Sequence, residues 1–392
     1  MRIQELNVQN FRSLKDVVWK PTDLNVLIGP NASGKTNLLR LLEFLKAAAA
    51  GTLVRYVQRE GGMEPLVWDG TANSLSLELH TTPLEGGRNG LQYSLELVRI
   101  GNSGAFIVER ESLVDVIGVQ SGRFDKPFRM LDRQRTNAVV FDTDQRRLSA
   151  PPESVEEGET LLSMAAGPFA ANPQLTSYQQ HLARLAVYRD VSTASDSPMR
   201  KPSVASMDRR LESNGSNFIS VLHTLYTTDR EFRRNLRDAM TAAFGSEFED
   251  IVFPPAADQQ IQMRIQWRSL KREQTAADVS DGTLRFLFLL TALANPEPPA
   301  IMAIDEPETG LHPSMLPIIA DFALEACKRT QIIFTTHSPD FLDAFGGKLK
   351  SATVVSWPQG RTTLETKTGQ ELEYWLERYS LGELYRSGQL EH

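Results

Sequence analysis

Apolar residues fall at about every second position at the start of the chain, with Ile3, Leu6, Val8 and Phe11 in RIQELNVQNF. That period places one face of a strand in a core and the other in water. DLNVLIG follows, a short apolar run that stops at a glycine, which predicts a buried strand. The spacing then turns helical in GKTNLLRLLEFLKAAAAG, with Gly51 as the stop. From about Ser74 to Val114, SLSLELH, LQYSLELVRI and AFIVERESLVDV predict antiparallel strands separated by Gly, Asn and Pro turns. Residues 121–160 read as polar and irregular, ending in APPESVEEGE. Residues 174–245 predict mostly helix, broken by a loop at STASDSPMRKPS. Beyond about residue 271, apolar helix and apolar strand alternate, the pattern of a parallel sheet with crossover helices. No repeat is visible, and no heptad pattern persists long enough for a long coiled coil.

Length and composition narrow this picture. A chain of 392 residues exceeds one average domain, yet accommodates a single large α/β unit with an insertion. Hydrophobic residues at 41% and charged residues at 23% are those of a globular protein. The formal net charge of −7 argues against a broadly cationic nucleic-acid binder but leaves room for a local basic patch. Cys327 is the only cysteine, which excludes an internal disulfide and a cysteine-based metal site. The N-terminal MRIQELNVQNF lacks the apolar core of a signal peptide, and no run approaches the roughly 18 apolar residues of a membrane span. The expectation is a cytoplasmic protein with no membrane partner.

Three motifs carry chemistry. GPNASGKT, from Gly29 to Thr36, fits G-x-x-x-x-G-K-[ST] and lies between a predicted strand and a predicted helix, the context that the phosphate-binding loop requires. Gly29, Asn31, Ser33 and Gly34 shape a backbone whose N–H groups face phosphate oxygens, with Asn37 just inside the helix. Lys35 would reach the β- and γ-phosphates of ATP, and the Thr36 hydroxyl would hold Mg²⁺. PPAIMAIDEPETGLHP has two acids at the end of an apolar strand. Asp305 would organise the Mg²⁺ shell, and Glu306 would hold the attacking water and accept its proton. Alone, the same pair reads as two exposed acids opening a turn. In QIIFTTHSPDFL, His337 follows another β-branched strand, where it either bonds a γ-phosphate or sits in an ordinary loop. A fourth stretch, ADVSDGTLRFLFLL, is ambiguous: Ser280 and Asp281 could simply cap a buried helix, or Ser280 and Gly282 could address an anion.

The order of these pieces resembles the ABC-type ATPase heads of the RecF/SMC/OLD group, closest to its small predicted ATPases without a long coil. IQELNVQNFRSLKDV and LNVLIGPNASGKTNLL look like that group's N-terminal strands and Walker A, VSDGTLRFLFLL like its signature motif, AIMAIDEPETGLHP like Walker B with the D-loop, and IIFTTHSPDFL like the switch-histidine strand. The resemblance covers residues 1–50 and 276–345. It implies an α/β P-loop NTPase fold: an ABC-type head with a β-rich first lobe, a helical insertion and a RecA-like second lobe. The expected divisions are an N-terminal ATPase lobe at 1–120, an insertion at 121–270 and a C-terminal ATPase lobe at 271–392. It implies a homodimer formed through an ATP sandwich, in which Ser280 and Gly282 of one copy meet the γ-phosphate held by the other. Arg12 and Ser13 match the place where related heads touch nucleotide, and Glu308 to His312 would form the D-loop. Asp281 and Thr283 depart from the usual signature. The glutamine that joins Mg²⁺ to the arm region is not assignable beyond a guess at Gln58, and Arg55 or Arg59 reads as phosphate-sensing or as an ordinary exposed arginine. RFDKPFRMLDRQR clusters basic residues with Phe124 and Phe128, but Asp125 and Asp132 dilute it, so it reads equally as a nucleic-acid contact or a solvated surface. The group resemblance makes DNA the expected partner, in repair, maintenance or defence. The alternative is an ATP-dependent switch for a separate effector protein such as a nuclease. A transporter's nucleotide-binding subunit is a third reading, opposed by the RecF-like N-terminus and the Asp281-Gly282-Thr283 variant.

Overall fold

The period-two pattern of the N-terminus builds an eight-stranded antiparallel sheet. In this computed structural model, which describes residues 1–84, 89–101, 104–116, 127–151, 154–167, 170, 172–349, 351–368 and 380–387, the strand order is Leu14–Trp19, Ile3–Phe11, Ser74–Thr81, Leu91–Arg99, Phe106–Asp115, Phe128–Gln134, Asn137–Asp142 and Arg147–Ser149. Leu91, Tyr93, Leu95 and Leu97 point into the core while their neighbours face outward, as strand alternation requires. Residues 128–149 correct the expectation of irregular structure. They continue the sheet, but Asn137–Asp142 has no fully buried residue, so no apolar alternation marks it.

The chain divides into two compact units. The first takes residues 1–22, 27–185 and 353–366; the second takes 23–26, 186–352 and the described part of 367–392. In the first unit, the Lys35–Ala49 helix buries its leucines and Phe44. The end of the Leu24–Ile28 strand pairs in parallel with Ser351–Ser356, through Leu27 with Thr353 and Ile28 with Val354. In the second unit, Ala186–Tyr188, Ile301–Asp305 and Gln331–Thr336 lie side by side and parallel. The Asn25 amide donates to Ile332 O at 3.0 Å beside the last of these. Ala186–Tyr188 was hidden in a stretch that reads as helical, because three buried residues are too few to show a period. The helices Phe218–Thr228, Arg230–Phe244, Asp281–Leu293 and Leu316–Ala326 complete this unit. Alternating apolar strand and helix thus yield the α/β P-loop head that the motif order implied.

Candidate functional site

The fully buried strand Leu24–Ile28 delivers the chain to Gly29 of the first unit. The loop turns through Ala32 at φ +67° and Gly34 at φ +104°. A Cβ at Gly34 would overlap the Thr362 hydroxyl, so backbone angle and space both demand glycine there. Lys35 folds back over the loop, its ammonium 2.6 Å from Gly29 O and 3.0 Å from Pro30 O. The helix that begins at Lys35 has no side-chain cap and no acid in its first turn. An uncapped N-terminus of this length leaves N–H groups and partial positive charge for an anion. Ser33 Oγ is buried without a hydrogen-bond partner among the described residues. These features fit a phosphate chain.

A directional relay braces the loop. Asn37 Nδ2 donates to Ser13 Oγ at 2.7 Å, Ser13 lies 2.7 Å from Thr362 Oγ1, and Thr362 donates to Ser33 O at 2.9 Å. Each hydroxyl has one proton, so Ser13 must donate to Thr362. Ser13 therefore sits against the loop. Arg12 does not reach it: at φ +50° it turns to Glu60, a carboxylate that also takes Arg40. Asn31 is exposed and Thr36 half-buried. Arg55, Gln58 and Arg59 lie exposed on the Leu53–Arg59 helix.

In the second unit the Ile301–Asp305 strand ends at the acid pair. The Thr335 hydroxyl donates to Asp305 Oδ1. Glu306 takes φ +43°, a strained angle for a side-chain-bearing residue, and its N–H donates to Thr335 O at 3.0 Å. His337 Nδ1 lies 2.9 Å from Glu306 Oε1, so the structure joins the two predicted catalytic side chains. Ser280 caps the Asp281–Leu293 helix, accepting from Thr283 N at 3.2 Å. The capping alternative is thus real in this structure. Gly282 lies against Gly310 in the D-loop segment, where a Cβ would strike Gly310 O.

Residues 24–343 match the family described as "AAA domain, putative AbiEii toxin, Type IV TA system". The chain belongs to this AAA-domain family. A RecF DNA replication and repair protein from Moorella thermoacetica is 29% identical over 123 residues, covering 30% of this chain and 30% of the relative. One from Lactobacillus acidophilus is 53% identical over 47 residues, 12% of each chain. An OLD nuclease from Thermus scotoductus is 21% identical over 349 residues, 87% of this chain and 60% of the relative. The chain therefore spans 30% or less of these RecF relatives and 60% of the OLD nuclease. An SMC head bound to the C-winged helix domain of ScpA shares the fold with a TM-score of 0.59 at 13% identity, covering 95% of this chain and 100% of that one. These likenesses place the chain beside the RecF, OLD and SMC proteins, with the fold of an ABC-type P-loop head.

Three residues of the AAA-domain protein that carry the site escaped the sequence motifs. Thr362 is 329 positions from the Ser33 carbonyl it holds, and threonine in a turn has no distinguishing signal. Arg285, on the signature helix, donates to Glu306 O at 2.9 Å and to Asp305 O at 3.3 Å. Burial lowers its pKa, opposed by the carboxylates of Glu308, Asp305 and Glu306. Burial likewise pushes the Glu308 carboxyl up, although the Thr336 hydroxyl donates to it. The basic residue five places after Ser280 was the available clue. Arg200 is the third. It donates to Thr193 O at 2.7 Å and to the carbonyls of Ala276, Ala277 and Val279 at 3.0, 3.1 and 2.7 Å, and it pairs with Asp281. The unusual signature acid thus has a partner in its own chain.

Among the described basic residues of the cluster, Arg133 is committed internally, whereas Arg129 and Arg135 lie exposed in ion pairs; Arg123 and Lys126 lie outside the described residues. Arg133 is 2% exposed and donates to Arg135 O at 2.6 Å, Glu159 O at 2.5 Å and Glu156 O at 2.8 Å. Arg129 pairs with Asp132, and Arg135 with Glu109. Phe128 packs edge-on to Phe141 at 4.7 Å. Phe124 and Asp125 lie outside the described residues. No described helix is long and apolar enough to cross a membrane.

Proposed function

We propose that this chain is an ATP-binding and ATP-hydrolysing RecF/SMC-like ATPase that pairs two copies on ATP and acts on DNA. The contact between Glu306 and His337 carries the reading, because it couples a candidate base to a candidate γ-phosphate ligand at 2.9 Å. Lys35 and the loop amides hold the triphosphate. Thr36 in the first unit and Asp305 in the second are each proposed as a Mg²⁺ ligand on the strength of their motifs. The cation supplies charge that offsets what builds up on the phosphate oxygens. Glu306 accepts the proton of the attacking water. A proton on His337 Nδ1, donated to Glu306, leaves Nε2 as an acceptor for the water beside the phosphate. Ser280 and Gly282 serve the nucleotide of the other copy.

The curated relatives named as DNA replication and repair proteins, and the nuclease among them, support the DNA assignment. Glu306→Gln should retain ATP binding and lose turnover by about 10²- to 10⁴-fold. A Glu306→Gln protein that hydrolyses at the wild-type rate would falsify the base assignment. Duplex DNA should stimulate turnover, or bind in an ATP-dependent and salt-sensitive manner. The second reading is an ATP-controlled switch for a separate effector such as a nuclease. The internal commitment of Arg133, which takes one arginine of the basic cluster away from nucleic acid, favours it. Turnover indifferent to any DNA, with no binding at low salt, would select it.

A further inference from the structure

We infer that the hairpin turn Trp357–Arg361 is the platform for the base of the nucleotide held by the phosphate loop, a deepening that rests on the nucleotide reading above. The argument starts from register. Leu27 and Ile28 pair with Thr353 and Val354, so the residues that follow, Gly29 and Val355, come level. Val355 O occupies the space that a Cβ on Gly29 would need. The chain then turns through the Pro358–Gly360 helical turn, with Gln359 at φ +52° and Gly360 at φ +79°. Ser356 Oγ and Thr363 Oγ1 close the hairpin at 2.7 Å. On the return, Thr362, 1% exposed, docks on Ser33 O and its N–H donates to Ser13 O at 2.8 Å. The turn is therefore clamped at both edges of the phosphate loop, at Gly29 by Val355 and at Gly34 by Thr362.

Between the clamps stand an indole and a guanidinium that the fold does not use. Trp357 is 54% exposed and has no aromatic partner among the described residues. Arg361 is exposed and has no ion pair among them. An exposed indole forgoes the burial that normally places tryptophan, and here it is fixed on a turn with little freedom. Both groups present flat faces on which a nucleobase stacks, and such stacking tolerates the identity of the base. The ligand class is thus a nucleoside triphosphate, its base read by its π-face.

The test uses the full chain with Mg²⁺ and two probes, ATP and inorganic tripolyphosphate, measured by equilibrium binding. Trp357→Ala should weaken ATP by roughly 5- to 150-fold, the range for one stacked base, and leave tripolyphosphate unchanged. Trp357→Phe should restore most of the ATP affinity. In the unmutated protein, ATP should quench tryptophan emission and tripolyphosphate should not, and Trp357→Phe should remove that quench. Equal weakening of both probes by Trp357→Ala would make the residue structural, and unchanged ATP binding would make it a bystander; either overturns the proposal. Lys35→Ala separates the two levels, because it should weaken both probes alike. A wild-type protein that binds neither probe would sink the nucleotide reading itself, and the base platform with it.

Discussion

Arg285 brings a charge to two main-chain oxygens, those of Asp305 and Glu306. Glu306 holds a left-handed backbone angle that costs about 1–3 kcal/mol unless its surroundings enforce it. The Arg285 bond to its carbonyl and the Thr335 bond to its N–H pin the peptides on both sides. The carboxylate is thereby aimed by a residue of the signature helix in the same subunit. Arg285→Ala should lower kcat by about 100-fold, the effect of misplacing a catalytic group by an ångström, with KM for ATP nearly unchanged. Arg285→Lys should recover part of the loss, because an ammonium reaches one carbonyl but lacks the fork that spans two. Steady-state kinetics of both variants decide it, and a rise in KM with kcat intact would assign Arg285 to binding instead.

At the scale of elements, the strand Phe128–Gln134 carries Arg133 inward to brace the segment at Glu156 and Glu159. Arg133→Ala leaves those carbonyls without donors, at about 1–3 kcal/mol each. It should lower the urea midpoint clearly, whereas Arg129→Ala, an exposed ion pair, should shift stability by less than about 1 kcal/mol. Equal midpoints for the two variants would show that Arg133 braces nothing. Charge reversal at Arg133 is thus a probe of folding rather than of nucleic-acid contact. This strand also marks a boundary of what the sequence discloses. Ser74–Thr81 and Leu91–Arg99 announce themselves because one face is buried and the other is not. Asn137–Asp142 has neither face buried, and Ala186–Tyr188 is buried throughout over three residues, so neither carries a period. The site divides likewise. Gly29–Thr36, Asp305, Glu306 and His337 were legible because their chemistry demands fixed spacing. Thr362, Arg285 and Arg200 act by donating to carbonyls, which are present at every position and constrain no residue type nearby.

At the scale of the whole molecule, the resemblance to paired heads makes an assembly prediction. Ser280 caps its own helix and shares a 2.8 Å hydrogen bond with the Thr283 hydroxyl, yet it stands on an exposed turn, with Asp281 68% exposed beside it. If the turn meets a second copy's nucleotide, ATP should stabilise the dimer by mass action. Glu306→Gln with ATP and Mg²⁺ should sediment as a dimer, and the nucleotide-free protein as a smaller species. Ser280→Arg should abolish pairing and turnover while ATP still binds at the intact phosphate loop. Full activity from a Ser280→Arg protein that stays monomeric at every ATP concentration would leave the stretch a helix cap and nothing more.

The clamp on the phosphate loop also sets a timetable for biosynthesis. Thr362 is polymerised 329 residues after Ser33, which is roughly 16–66 s later at about 5–20 residues per second. Throughout that interval the ribosome-bound chain carries the loop's residues without the hydroxyl that braces them. The loop therefore reaches its clamped geometry only once Thr362 has been added. Chains released before Val355 and Thr362 have been added carry the motif but not the clamp.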